Sequence, residues 1–405
     1  MTSSRTFLTA LATNGLSEIV QKVSRIAVVV AVARVMEPEA IGVAAAAIAA
    51  GDILKSLTET GVVQRIIAAP ERELGAVVAT GRRLFFAWTI GLFLTQCAVA
   101  LAIWFWTGDV VVPALMGLLA LEYLAMPAGI VNCALAMRAG KLTGTATVAG
   151  SQIVAANLLT AALAVIWPSP FALILPRVLT APIWLIGMRW LHPVKLEKVA
   201  RPAAVRPFLG FGACILGSEF VKALRLQADK LLIGALLGAE ALGIYFFAFN
   251  AGLSLATSAS VAFSRVVFPR IAASSDRTRA AQDAIWLATL FTAPVILLQA
   301  LLAPIYVPLL FGPDWAFIAN TVSILCLAAI PAMLWSGTAQ WYRAEDRAGV
   351  ELQVTIAITG ALLLSTWLLA PYGIEAIAWG YLAVTTIIQV AASLPLLLTP
   401  RTRNA

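Results

Sequence analysis

Twelve stretches of this chain are each apolar over about the 20 residues that a helix needs to cross a bilayer, and several are separated by only a few residues. They run approximately 8–35, 41–67, 84–106, 110–135, 143–166, 171–188, 208–237, 241–267, 284–311, 315–340, 350–369 and 374–398. The links are turn-like: "EPE" at 37–39, "TGD" at 107–109, "WPSP" at 167–170, "FGPD" at 311–314 and "APYG" at 370–373. In hydrocarbon no water is present to satisfy the backbone, so such segments must be helices. The expectation is an all-α membrane protein of about twelve transmembrane helices. Composition agrees, with 61% hydrophobic and 12% charged residues, where a soluble domain is about half apolar and a quarter charged. The first stretch carries Glu18, Lys22 and Arg25 in its middle, which does not suit a cleaved signal peptide. Cys97, Cys133, Cys214 and Cys326 lie inside spans without a close pair and read as small core residues. The single histidine, His192, has no ligand partners nearby, so no metal is expected.

The basic residues test the threading. With the N-terminus in the cytoplasm, alternation places 20 of the 28 lysines and arginines in cytoplasmic segments and none in the six outer links. That is the positive-inside bias. A multi-pass protein of a bacterial inner membrane with both termini cytoplasmic is expected. The net charge of +8 then follows from topology and the anionic inner leaflet, and no nucleic-acid partner is implied. Trp104, Trp106, Trp167, Trp190, Trp315 and Trp341 fall at span ends, as interfacial anchors do.

The chain also repeats itself at an offset of 201. "EPEAIGV" at 37–43 meets "GAEALGI" at 238–244, "SEIV" at 17–20 meets "SEFV" at 218–221, and Gly51 meets Gly252. Helices one and two therefore match helices seven and eight. Two six-helix lobes inserted in the same orientation follow: an N-terminal lobe 1–190, a basic, proline-bearing cytoplasmic linker 191–207 and a C-terminal lobe 208–405. Gly42 and Gly243 are expected in equivalent outer turns, where glycine tolerates positive φ.

Fourteen charges sit inside spans: Lys22, Arg25, Arg34, Lys55, Arg177, Lys222, Arg225 and Lys230 with Glu18, Asp52, Glu59, Glu122, Glu219 and Asp229. Most lie on helices one, two and seven. Facing lipid unpaired, they would cost on the order of 30 kcal/mol, which a fold stable by about 5–15 kcal/mol cannot carry. At helical periodicity Asn14, Glu18, Gln21, Lys22 and Arg25 share one stripe. Asp52, Lys55, Ser56 and Glu59 share a second, and Ser218, Glu219, Lys222, Arg225 and Asp229 a third. The simplest assembly turns the stripes to one cavity between the lobes. Lys22, Arg25, Lys55, Lys222 and Arg225 would make it cationic and suited to a phosphate or pyrophosphate. Asn14, Glu18, Gln21, Asp52, Glu59, Glu219, Asp229 and Asn250 would be its polar companions or coupling groups. A plainer reading competes. Glu18–Lys22, Lys55–Glu59, Asp52–Lys55 and Glu219–Lys222 are spaced to pair along their own helices, as structural glue. Asp229 is also placed to occupy Arg225, and Arg34 to snorkel. Glu122 has no partner in its own helix and reads either as a protonated core acid or as a proton site. Arg177, beside Pro176, is left without a role.

No glycine-rich phosphate loop and no nucleophile–base constellation stand in the sequence, so an enzyme is not expected. Two repeated lobes with proline-bearing helices suit an alternating-access carrier better than a channel. No cofactor is expected; a coupling ion, proton or sodium, is left open.

"DKLLIGALLGAEALGIYFFA" at 229–248, "FPR" at 268–270, "ARVMEPEAIGV" at 33–43 and "TETGVVQRII" at 58–67 resemble the polysaccharide-biosynthesis, or oligosaccharide-flippase, family of the multidrug/oligosaccharidyl-lipid/polysaccharide exporter superfamily. The resemblance implies two six-helix bundles in a V around a central cavity lined by helices one, two, seven and eight. It implies transfer of an undecaprenyl-pyrophosphate-linked oligosaccharide, a surface or exopolysaccharide repeat unit, between leaflets. Arg25, Lys55 and Arg225 stand where pyrophosphate contact would fall. The implied partners are the lipid-linked oligosaccharide, membrane lipid and a polysaccharide polymerase with glycosyltransferases. Helix eight departs from a symmetric charge site, since "YFFAFNAG" at 245–252 offers Asn250 and no charge. The alternatives are a drug or metabolite antiporter of the same superfamily and a non-transporting membrane partner of a polysaccharide synthase complex.

Overall fold

The computed structural model describes residues 20–21, 23–58, 60–193 and 203–399, which are almost wholly helical and contain no strand. Packing divides the chain into two compact units, Met1–Ala223 and Leu224–Ala405. That division lies further along than the linker at 191–207. Phe208, just past that linker, is buried in a core with Val62, Ile66 and Val77 of the first unit.

In the first unit the helices are α1 (23–35), α2 (Pro38–Ser56), α3 (Val62–Ala68), α4 (Leu74–Thr107), α5 (Val111–Ala120), α6 (Glu122–Ala125), α7 (Pro127–Arg138), α8 (Leu142–Ile166), α9 (Pro170–Leu191) and the start of α10 (Arg206–Ala272). Pro38 opens α2 at a position where its missing N–H costs nothing. Ala44, Ala45, Ala47 and Ala49 are fully buried along α2. Lipid supplies no hydrophobic drive between helices, so small side chains that allow close backbone approach do the packing. They let α2 pack with Leu115, Met116 and Ile174 of α5 and α9.

Two expected spans are broken. The 41–67 stretch ends its first helix at Ser56, and Gly61, at φ 74°, starts α3 in a new direction. The 110–135 stretch bends by 51° between α6 and α7, where Pro127 lacks the N–H that would continue the ladder. Arg138, ending α7, donates to the carbonyls of Ile66, Ile67 and Ala69 at 3.2, 2.8 and 2.5 Å, and so closes the end of α3.

The second unit holds the rest of α10 with α11 (Arg277–Phe311), α12 (Ala319–Leu327), α13 (Ala329–Ala344), α14 (Ala348–Leu369) and α15 (Ile374–Leu398). One of its cores gathers Ile271, Ala281, Ile285, Trp335, Tyr342 and Leu396. Helix α10 is broken at Gly238, whose φ 88° and ψ 177° are not helical. Among the described residues, eight helical segments are long and apolar enough to cross a membrane, or nine if the bent α5–α7 pair is one span. One of the eight, Glu219–Leu253, runs through the Gly238 break and so covers parts of two expected helices.

The repeat has a structural counterpart. A Cβ on Gly51 would meet Leu119 Cδ1 of α5 at 3.1 Å, and one on Gly252 would meet the Val322 carbonyl of α12 at 3.1 Å. Both glycines thus face the fourth helix of their unit across a tight contact. A glutamine from the third helix attends each. Gln96 of α4 donates to the Met116 carbonyl at 2.7 Å, and Gln299 of α11 to the Ala251 carbonyl at 3.3 Å. The turn expectation needs correcting. Gly42 and Gly243 are buried inside helices, and the chain turns before them, at 36–37 and at Gly238. Two anchors also need correcting: Trp104, Trp106, Trp167 and Trp190 are exposed, but Trp315 and Trp341 are buried. Trp315 stacks on Phe247 with centroids 4.4 Å apart, and Trp341 donates to the Thr278 hydroxyl at 3.3 Å.

The Gly238 backbone occupies a region reserved for glycine, while nothing lies within 4 Å of the site of its missing Cβ. Gly238→Ala is therefore expected to lower stability by about 1–3 kcal/mol through strain alone. Gly360→Ala, in the open interior of α14, is expected to be neutral or stabilising. Unfolding of both variants in the same detergent checks this, and equal stability would show that the α10 break does not depend on glycine.

Candidate functional site

The charges of the first unit converge on one place. Asp52 and Lys55 come from the last turn and a half of α2, Glu122 begins α6 and Arg177 lies mid-way along α9. Arg177 Nη2 donates to Asp52 Oδ1 at 2.9 Å, and its Nε lies 3.5 Å from Glu122 Oε1. Lys55 Nζ pairs with Glu122 Oε2. Four charges on three helices thus neutralise one another. Glu122 is buried, while Lys55, Asp52 and Arg177 keep about a third of their side-chain surface open. Arg25 of α1 acts on Asp52 electrostatically, and α1 is tied to α8 by Asn157, which donates to Ser24 Oγ at 2.9 Å.

A polar floor underlies the network. Tyr123, next to Glu122, donates its hydroxyl to Gln96 Oε1 at 2.8 Å, and the Gln96 amide is the one that holds Met116. A cavity of about 440 Å³ opens on the other side, lined by Lys55, Thr58, Gln64, Glu122, Gln152 and Trp184 among others. Its size lies within the range of small-molecule sites. Left unpaired in a bilayer, four charges would cost about 10 kcal/mol or more, so their mutual pairing is a condition of insertion.

Of the residues expected at the site, Arg25, Asp52 and Lys55 come together, joined by Arg177 and Glu122. Asp52 and Lys55 reach across to α9 and α6, a pairing between helices that neither the cavity reading nor the own-helix pairing specified. Asn14, Glu18, Lys22 and Glu59 lie outside the described residues. On α10, Lys222 and Glu219 form the expected ion pair at 2.8 Å, half exposed. In the second unit Asp229 does not answer Arg225. It accepts from the Tyr245 hydroxyl at 3.0 Å, and Lys230 Nζ lies 3.4 Å away. Lys230 sits 4.0 Å over the Phe249 ring and also donates to the Leu226 carbonyl. Arg225 instead acts on Tyr381. Asn250 donates to the Phe246 carbonyl at 2.8 Å, and Gln21, which precedes α1, is half-buried. Sequence reasoning missed Tyr123, Gln96, Tyr245 and Tyr381, because a lone polar residue in an apolar span carries no periodic signal.

The network predicts strong coupling. Arg177→Met should destabilise by about 3–5 kcal/mol, since it removes the hydrogen-bonded cation from Asp52 and one of the two cations that meet the buried Glu122. Lys55→Met and Glu122→Gln together should cost less than the sum of the single changes, with a coupling of about 1–3 kcal/mol. Thermal and denaturant unfolding in detergent checks both, and strict additivity would mean that the ion pair does not form.

Against known proteins, residues 31–320 match the family model for polysaccharide biosynthesis proteins. The amylovoran biosynthesis protein AmsL of Erwinia amylovora is 29% identical over 40% of this chain and 43% of its own length. The lipopolysaccharide biosynthesis protein WzxC of Escherichia coli (strain K12) is 23% identical over 60% of this chain and 51% of its own. The teichuronic acid biosynthesis protein TuaB of Bacillus subtilis (strain 168) is 24% identical over 46% and 42%. The matches thus span about half of those relatives or less. Among solved structures, the lipid II flippase MurJ in an inward closed conformation superposes with a TM-score of 0.75 at 13% identity, over 95% of this chain and 87% of that one. An inward-facing multidrug resistance transporter of the MATE family gives 0.71 at 14% identity, over 93% and 94%. The fold is therefore that of the two-lobed helical exporters, and the chain belongs to the polysaccharide biosynthesis protein family.

Proposed function

We propose that this protein is a flippase that moves an undecaprenyl-pyrophosphate-linked oligosaccharide, a repeat unit of a surface or exopolysaccharide, from the inner to the outer leaflet of a bacterial inner membrane by alternating access. The observation that carries this is a set of cations on apolar helices, with Lys55 of α2 open to the 440 Å³ cavity, in a chain of this family. Structural glue alone needs no cavity beside it. A lysine that keeps part of its surface open can reach a phosphate oxygen in the cavity, while Arg177 Nε stays 3.5 Å from Glu122 and continues to offset its charge. Exposed Arg25 and half-buried Arg225 are the further pyrophosphate contacts in this reading, with Lys22 and Lys222. Asn14, Glu18, Gln21, Asp52, Glu59, Glu219, Asp229 and Asn250 serve as polar lining or as the seat of a coupling proton or sodium ion. No bond of the substrate is broken, so the protein acts as a carrier and not as an enzyme. A polymerase and glycosyltransferases would act before and after it, and both chain ends would lie in the cytoplasm.

The test is translocation in proteoliposomes of a fluorescent undecaprenyl-pyrophosphate oligosaccharide, read by its accessibility to a membrane-impermeant lectin. Arg25→Ala, Lys55→Ala and Arg225→Ala should each lose at least tenfold in rate while insertion and secondary structure persist. Arg25→Lys should keep part of the rate if charge suffices and little if a bidentate fork is needed. Wild-type rates in all three alanine variants would remove the anionic-substrate reading. Uptake of organic cations with no lipid transfer would favour the antiporter, and neither activity the non-transporting partner.

A further inference from the structure

Apart from the ion network, the first unit has a second cationic feature. A groove of about 660 Å³ lies between α4, α7 and α9, with Arg82, Arg83 and Arg189 on it and Phe86, Leu124 of α6 and Val131 among its walls. Among the described residues, no acidic side chain lines it. Arg82 and Arg83 are exposed, as are Phe86 and Leu124, at 54% and 50%. The groove is a built feature: Asn132 of α7 donates to the His192 carbonyl at 2.8 Å and fixes the end of α9 beside Arg189.

Depth identifies what this groove meets. From the exposed Trp104 back to Arg82, α4 rises about 33 Å, close to the roughly 30 Å of hydrocarbon. With Trp104 at one interface, Arg82 and Arg83 stand at headgroup level on the other. Trp190, 88% exposed beside Arg189, marks the same level on α9. The apolar walls of the groove continue from there toward the membrane interior. The repeat supplies an internal comparison. The corresponding helices of the second unit, α11, α13 and α15, enclose a groove of about 750 Å³ lined by Gln282, Trp286, Thr289, Leu334 and Thr386 among others, with no charged residue among those described. The fold thus makes such a groove in both units, and of the two described linings only the first carries arginines.

We infer that the α4–α7–α9 groove binds an anionic phospholipid, its phosphate held by Arg82, Arg83 and Arg189 and its acyl chains lying against Phe86, Leu124 and Val131. Basic pockets between membrane helices recognise headgroups of this kind, and arginine forks match phosphate oxygens. The site is distinct from the ion network and does not depend on the substrate proposed above.

The experiment uses the full-length protein, delipidated in detergent, with native mass spectrometry of added phosphatidylglycerol, phosphatidylcholine, farnesyl pyrophosphate and inorganic phosphate. A phosphatidylglycerol adduct is expected, at least tenfold more abundant than that of phosphatidylcholine. It should fall at least tenfold in Arg82→Ala/Arg83→Ala and persist in Arg82→Lys/Arg83→Lys and in Arg270→Ala, a control that removes an exposed arginine of α10. Circular dichroism melting confirms that the variants are folded. Equal adducts in the double alanine variant, equal binding of phosphatidylcholine, or displacement by equimolar inorganic phosphate would each overturn the assignment. Preference for farnesyl pyrophosphate would overturn it too, by giving the groove to an isoprenoid pyrophosphate. Because lipid binding is read without transport, a failure of the flippase reading leaves this result standing, and the reverse.

Discussion

The salt bridge from Arg177 to Asp52, with Glu122 and Lys55 drawn in behind it, sets the terms for the rest of the first unit. A charge in hydrocarbon has no water to fall back on, so each of these side chains must find its counter-ion before the helices can rest in a bilayer. Asp52 and Lys55 on α2 find theirs on α9 and α6. That requires α2 to lie close to both. The run of buried alanines along α2 and the bare Gly51 beside Leu119 make the approach possible. The bend before Pro127 separates α6 from α7 and leaves Glu122 at the start of its own short helix. Small residues, a proline break and four charges are one device: the first two bring the backbones to the distance at which the last can neutralise.

The two units share the scaffold and differ in what they bury. Gly51 and Gly252 hold equivalent crossings, each attended by a third-helix glutamine that caps nearby carbonyls. The positions 201 residues beyond Asp52 and Lys55 are Leu253 and Ala256, both apolar, so these two members of the network are not repeated. Its buried charge is a different arrangement, with Asp229 answered by Tyr245 and Lys230, and Lys230 covered by the Phe249 ring. A tyrosine hydroxyl and an aromatic face stabilise a buried pair without a third charge. The second unit therefore keeps this pair nearly dry, at 3–4% exposure, while the first leaves Lys55 at 36%. An inert pair and an open one differ in what an incoming anion can reach.

Helix identity was plain from the apolar runs, since a spanning segment admits no other backbone. The helix breaks were half legible. Pro127 and Gly61 are visible in the sequence, but proline also passes through α9 and α11 without ending them. A break depends on whether neighbouring helices satisfy the freed carbonyls. The tryptophans show the same limit. Trp315 sits at a span end like Trp104, yet it stacks on Phe247 in the core, because the neighbour that covers it comes from another helix.

By itself the sequence determined that this chain is a helical membrane protein built on an internal repeat, that charge lies inside its apolar stretches, and that Asp52 and Lys55 leave α2 on one side. These follow from local rules: hydrocarbon length, backbone satisfaction and 3.6-residue periodicity. The tertiary structure alone decided the pairings. Lys55 answers Glu122 rather than a neighbour on its own helix, Asp52 answers Arg177, and Asp229 answers Tyr245. The reason is geometric. A helical stripe gives the direction in which a side chain leaves its own axis, but its partner is set by which other helix is rotated and bent to meet it, and that depends on packing across the whole unit.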